Sequence, residues 1–130
     1  MDTLFDYNEL FNYVFQSERK LFTKMDSYRL IEKKCKDKCL NLTEREQLSL
    51  DIRHVFEMLI RIIKDSCPDL TDDDILFCCL KNSRLDSMIA GHCIGCASRQ
   101  AVNQRKYRIK KKMTDANCKY LFDMIFPPDG

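Results

Sequence analysis

Apolar residues recur three, four and seven positions apart over much of this chain, and no stretch alternates apolar with polar. That spacing places side chains on one face of a 3.6-residue period, whereas a half-buried strand needs a period of two. Leu4, Phe5, Leu10, Phe11, Val14, Phe15, Leu21, Phe22 and Met25 predict a helix over 4–25. A second helical stretch, about 27–40, is basic (Arg29, Lys33, Lys34, Lys36, Lys38), with a thin apolar side of Leu30, Ile31, Cys35 and Cys39. Thr43-Glu44-Arg45-Glu46 matches a capping box and opens a third helix running to about Asp65. Leu48, Ile52, Val55, Phe56, Leu59, Ile60 and Ile63 form its wide apolar face, and Cys67-Pro68-Asp69 ends it. The expected fold is all-α.

From Leu70 onward the helices become shorter. Thr71 suits an N-cap, with Asp72, Asp73 and Asp74 at the positive end of the helix dipole. Ile75, Leu76, Cys78, Cys79 and Leu80 fill this helix, and Asn82-Ser83 breaks it. A second short helix spans 85–93, and Gly95-Cys96-Ala97 turns the chain toward Ser98, the N-cap of a basic helix. Short helix, short helix, turn and basic helix is the helix-turn-helix order. The expected organisation is a helical region over 1–68, for dimerisation or attachment to a sensor, followed by a DNA-binding helix-turn-helix domain over 69–130.

Charge is unevenly distributed along the chain. Residues 1–98 carry 14 basic and 17 acidic side chains, 99–113 carry seven basic and no acidic ones, and 114–130 carry one and three. A chain of net charge +2 thus gathers its positive charge on one helix, and such an oriented field suits a polyanion. Val102, Ile109 and Met113 form that helix's narrow apolar stripe. At 100° per residue the opposite face holds Gln100, Gln104, Tyr107 and Lys111, flanked by Asn103 and Arg108. Amide side chains pair a donor with an acceptor and suit adenine in the major groove, Arg suits guanine, and Lys and Tyr reach phosphates. Lys110 and Lys112 lie beside Lys111 at the end of the helix.

These residues resemble a known family. Leu70-Thr71, the helix ending at Leu80, Ile89-Ala90, Ser98 and the Val102/Ile109/Met113 stripe are similar to the LuxR-type (GerE-like) helix-turn-helix of bacterial transcriptional regulators. ILFCCLKN and KYRIKKKM look like a variant with two late cysteines in its first helix and an Arg-Tyr-Arg-x-Lys-Lys end. In some of those regulators this domain ends a longer sensor protein. The resemblance covers about residues 70–113. It departs from the family pattern where Asn82-Ser83-Arg84 replaces a Gly, where Met88 replaces an acidic residue, and where Gly91 and Gly95 stand in the second-helix region. The resemblance implies DNA contacts by Arg99, Gln100, Asn103, Gln104, Tyr107, Arg108 and Lys111, with Val102, Ile109 and Met113 in the core. Lys110 joins the contacting set as a phosphate ligand.

Other function classes find little in the sequence. There is no 18-residue apolar run, so insertion into a membrane is not expected. MDTLFDYNEL lacks a basic start followed by an apolar block, so a cytoplasmic location is expected. Without a secretory signal, the eight cysteines read as small buried hydrophobes rather than a disulfide framework. A zinc site would join His92, Cys93 and Cys96 to Cys67 or Cys79, but the second short-spaced pair that zinc sites use is missing, and no metal or cofactor is expected. His54 and His92 read as structural, and no nucleophile, phosphate loop or carboxylate pair points to an enzyme. The expected partners are double-stranded DNA and a second copy of the chain, since the aromatic-rich first helix could pair two recognition helices on a two-fold site. The alternative is a protein-interaction module, an anti-sigma or sigma-like partner whose basic helix meets an acidic protein surface.

Overall fold

The computed structural model describes residues 7–127, and the fold is all-α. Its helices are α1 (Tyr7–Phe22), α2 (Asp26–Lys34), α3 (Leu42–Val55), α4 (Glu57–Ser66), α5 (Asp72–Asn82), α6 (Ser87–Cys93), α7 (Arg99–Asp115) and α8 (Lys119–Ile125). Leu4 and Phe5 of the expected first helix, and residues 128–130 of the expected second domain, lie outside the described residues. Among the described residues no helix is long and apolar enough to cross a membrane.

One continuous cluster of buried side chains runs from Phe15 in α1 to Phe126 after α8, and every helix contributes to it. Phe15 and Phe22 on α1 are shut from solvent, as are Ile52 on α3, Phe56 at the junction of α3 and α4, Leu59 and Ile63 on α4, and Phe77 on α5. Phe22 stacks at a tilt on Phe56, with ring centroids 5.4 Å apart. Leu10 and Leu21, expected on the apolar side of α1, are exposed instead. The core-facing arc of α1 is narrower than its hydrophobic pattern.

Two expected boundaries shift, at the start of α3 and at the end of α2. The N-cap of α3 is Asn41, not Thr43. Asn41 Oδ1 accepts from the Glu44 amide at 2.8 Å, and Glu44 Oε1 accepts from the Asn41 amide at 2.9 Å. Glu44 stands three residues after Asn41 and also pairs with Lys34 of α2, which holds it in that box. The second helix ends at Lys34 rather than near residue 40, because the following chain pairs with α6. There Leu40 N–H donates to His92 O at 3.1 Å, and His92 Nδ1 lies 2.6 Å from Cys35 O.

The long third helix is two helices. The backbone leaves α-geometry at Phe56 (φ −95, ψ 38), which frees the first amides of α4. Glu18 of α1, only 9% exposed, accepts from them, Oε2 from Met58 N–H at 2.9 Å and Oε1 from Leu59 N–H at 3.1 Å. A carboxylate at a helix N-terminus also meets the positive end of the dipole. Burial pushes the Glu18 carboxyl above its usual range, although the two amide bonds act in the opposite direction. Glu18→Ala would leave two amides without acceptors, and an expected loss of about 1–3 kcal/mol follows. Glu18→Gln keeps one acceptor oxygen, so it should cost less. Urea unfolding of both variants checks this, and equal losses would mean the amides are satisfied in another way.

Arg19, the next residue, is bonded to the far end of α5. Its guanidinium donates to Asn82 O and, at 3.3 Å, to Asn82 Oδ1. The buried Asn82 amide donates in turn to Phe15 O at 3.2 Å. The first helix is therefore fastened to α4 and α5 by polar contacts on top of its apolar face.

Candidate nucleic-acid interface

Two short helices, α5 and α6, lead to the basic one, and each terminus has a visible cause. Thr71 caps α5 in a reciprocal box with Asp74, as its position before three acidic residues suggests. After Asn82 the chain turns through Arg84 at φ +66, the left-handed conformation that favours glycine. Asp86 Oδ1 accepts from Met88 N–H at 2.9 Å and caps α6.

Both glycines of this region have a geometric role. At φ +86, Gly95 ends α6, and Cys96 N–H reaches back to Gly91 O at 2.8 Å, a Schellman closure. Gly91 sits within α6, and a Cβ there would overlap Val102 Cγ2 of α7. Its missing side chain sets how closely α6 and α7 approach.

The basic helix begins where expected. Ser98 Oγ accepts from Ala101 N–H at 3.1 Å. It ends in a second Schellman closure, with Asn117 at φ +61 and Cys118 N–H on Met113 O at 2.8 Å. Val102, Ile109 and Met113 are buried to 1%, 0% and 0% exposure, so the stripe faces the core. Arg99, Gln100, Asn103, Gln104, Tyr107, Arg108, Lys110 and Lys111 are all exposed. Seven of them line one shallow surface along the helix. The eighth, Lys110, lies on the α8 side, its ammonium 5.8 Å from the Phe122 ring centroid.

The seven basic residues of this helix do not share one environment. Asp74, fully buried on α5, is the centre of an ion cluster. Arg105 Nη1 donates to its Oδ1 at 2.7 Å, Lys112 Nζ lies 3.5 Å from Oδ2, and Arg108 Nη2 lies 3.8 Å from Oδ1. Lys112 also donates to Asp69 O at 3.1 Å. Lys112, expected beside Lys111, is therefore turned inward. Spacing could have shown this, because Arg105 and Lys112 each stand three residues after a stripe residue, Val102 and Ile109. The Asp74 carboxyl feels burial, which raises its pKa, and Thr71, Arg105 and Lys112, which lower it; the net shift is downward.

On the outer face the partners are weak or absent. Lys111 pairs with Asp115 at 3.6 Å, both well exposed, a geometry that contributes little. Arg99, Gln100, Asn103, Gln104 and Tyr107 have no polar partner among the described residues. Their side chains are free to meet a ligand.

Helix α8 is the element missed from the sequence. Cys118, Leu121, Phe122, Ile125 and Phe126 are buried at spacings of three, one, three and one, a legible helical pattern in a segment of seven residues. It packs against α7 and α5.

The candidate zinc ligands are used otherwise. Cys93 Sγ lies 3.8 Å from Cys35 Sγ, His92 meets Cys35 O, and Cys67 and Cys79 are buried in the core. Among the described residues no three His, Cys, Asp or Glu side chains converge as a metal site. His54, expected in an apolar region, is exposed on α3, because its turn of the helix lies opposite Ile52 and Phe56. Compared with known proteins, the chain matches no family model, no curated protein and no solved structure.

Proposed function

We propose that this protein is a DNA-binding transcriptional regulator that reads duplex DNA with the outer face of α7. The observation that carries the reading is an acid-free strip of Arg99, Gln100, Asn103, Gln104 and Tyr107, exposed and without polar partners. Amides and guanidinium match base edges, and Arg108, Lys110 and Lys111 along the same helix match phosphates. The likeness of residues 70–113 to the LuxR-type helix-turn-helix supports the same assignment, with α5, α6 and α7 in the roles of its three helices. A two-fold pair would place two α7 helices on a palindromic site. Leu10, Tyr13 and Leu21, 41%, 71% and 59% exposed on α1, supply apolar area for such pairing.

Selection of bound sites from random duplex DNA, followed by salt titration, tests the reading. Lys111→Ala should weaken binding to selected and unrelated duplexes by a similar factor and reduce the salt slope by about one unit. Gln100→Ala and Gln104→Ala should instead change the preferred sequence, each costing about 1–3 kcal/mol at one base pair. An unchanged selected motif in both Gln variants would remove them from the reading face. Absence of duplex binding at about 50 mM salt would favour an acidic protein surface as the partner.

A further inference from the structure

Two thiols meet where the end of α2 lies against α6. Cys35 and Cys93 are 0% and 1% exposed, and their Sγ atoms lie 3.8 Å apart, in contact but not bonded. The chain around them is already fastened. His92 Nδ1 lies 2.6 Å from Cys35 O, and Leu40 N–H donates to His92 O at 3.1 Å. Disulfide sulfurs stand about 2.0 Å apart, so closing this pair asks for a movement of less than about 2 Å.

Two further features separate the pair from the other buried cysteines. The Cys93 thiol donates to the Cys35 sulfur and lowers its pKa, with help from Lys34 and against burial and Glu44. Cys93 is raised, because it holds that proton and is buried. Burial pushes Cys67, Cys78, Cys79 and Cys118 up as well. A sulfur with thiolate character beside a second thiol is the arrangement of a redox-responsive cysteine. Cys93 also lines a half-open cavity of about 320 Å³ between α3, α5 and α6. That space admits an oxidant the size of two waters, each filling about 30 Å³.

We propose that Cys35 and Cys93 form a reversible disulfide on exposure to a peroxide, fastening the end of α2 to α6. The Cys35 sulfur attacks one peroxide oxygen, forming an S–O bond as the O–O bond breaks. The departing hydroxide takes the proton given up by Cys35 and leaves as water. The Cys93 sulfur then attacks the Cys35 sulfur, forming the S–S bond as the S–O bond breaks, and the second hydroxide leaves as water with the Cys93 proton. The two thiols lose two electrons and the peroxide gains them. The pair is not part of the outer face of α7, and its chemistry does not depend on what that face binds.

Peptide mapping of the reduced full chain tests this, after treatment with hydrogen peroxide and blocking with N-ethylmaleimide in denaturant. A peptide linking Cys35 to Cys93 should appear, and dithiothreitol should remove it. The linked chain should melt at a higher temperature than the reduced one, since the bond joins residues 58 positions apart and constrains the unfolded chain. Cys35→Ser and Cys93→Ser should each lose both the link and the rise in melting temperature. If either variant does not fold, the map and the melt of the native chain decide. Recovery of both cysteines as maleimide adducts, a link from either to a different cysteine instead, or a linked chain that melts no higher than the reduced one would overturn the assignment.

Discussion

Replacing Asp74 with Ala is expected to remove about 3–5 kcal/mol of folding stability, a large share of the roughly 5–15 kcal/mol that holds a domain together. The cost comes from what remains behind. Arg105, whose side chain is 16% exposed, would keep its charge in a site built around a carboxylate. Thr71 would lose its reciprocal cap on α5, and Lys112 would keep only the Asp69 carbonyl.

The same carboxylate makes stability depend on pH, and the sign is fixed by its depressed pKa. Its contribution is present above its unfolded value near 4 and is lost as pH falls through the lower folded value. Glu18 acts in the opposite sense, because burial raises its pKa and protonation then favours the folded form. Glu18→Gln is therefore the right background for isolating Asp74. In that background, urea unfolding at pH 7 and pH 3 should show an acid loss about 1 kcal/mol greater when Asp74 is present than in Asp74→Ala. A loss below about 1 kcal/mol at pH 7 would mean that the cluster is a surface-type pair of little worth.

Truncating Ile109 is expected to cost about 2–5 kcal/mol. This side chain is fully buried on the inner edge of α7, between Val102 and Met113 along the stripe. Ile109→Ala should abolish DNA binding by loosening α7 from the core, whereas Lys111→Ala should leave stability within about 0.5 kcal/mol and alter binding alone. Circular dichroism melts beside binding titrations separate the two effects. A fully stable Ile109→Ala variant would mean that α7 is rotated, and its outer and inner faces would exchange roles.

The contrast between these residues shows how far local pattern reaches. Ser98, Thr71 and the Val102/Ile109/Met113 stripe were legible because caps and apolar periodicity act within three to eleven residues along one helix. The outward positions Gln100, Gln104, Tyr107 and Lys111 follow from the same geometry, since fixing one face of a helix fixes the other. The sorting of charge within that helix was legible only in part: spacing puts Arg105 and Lys112 beside the stripe, but the carboxylate that receives them, Asp74, comes from another helix.

By itself, then, the sequence determined an all-α chain, the start of α7 and which of its sides is apolar, all consequences of bonds and contacts between near neighbours. Tertiary structure decided the rest. Glu18 splits the third helix from 40 and 41 residues away, Arg19 meets Asn82 across 63, and Asp74 captures Arg105 across 31. In each case a buried polar group needs a partner that no neighbour in the chain provides, and only folding brings that partner within hydrogen-bond reach.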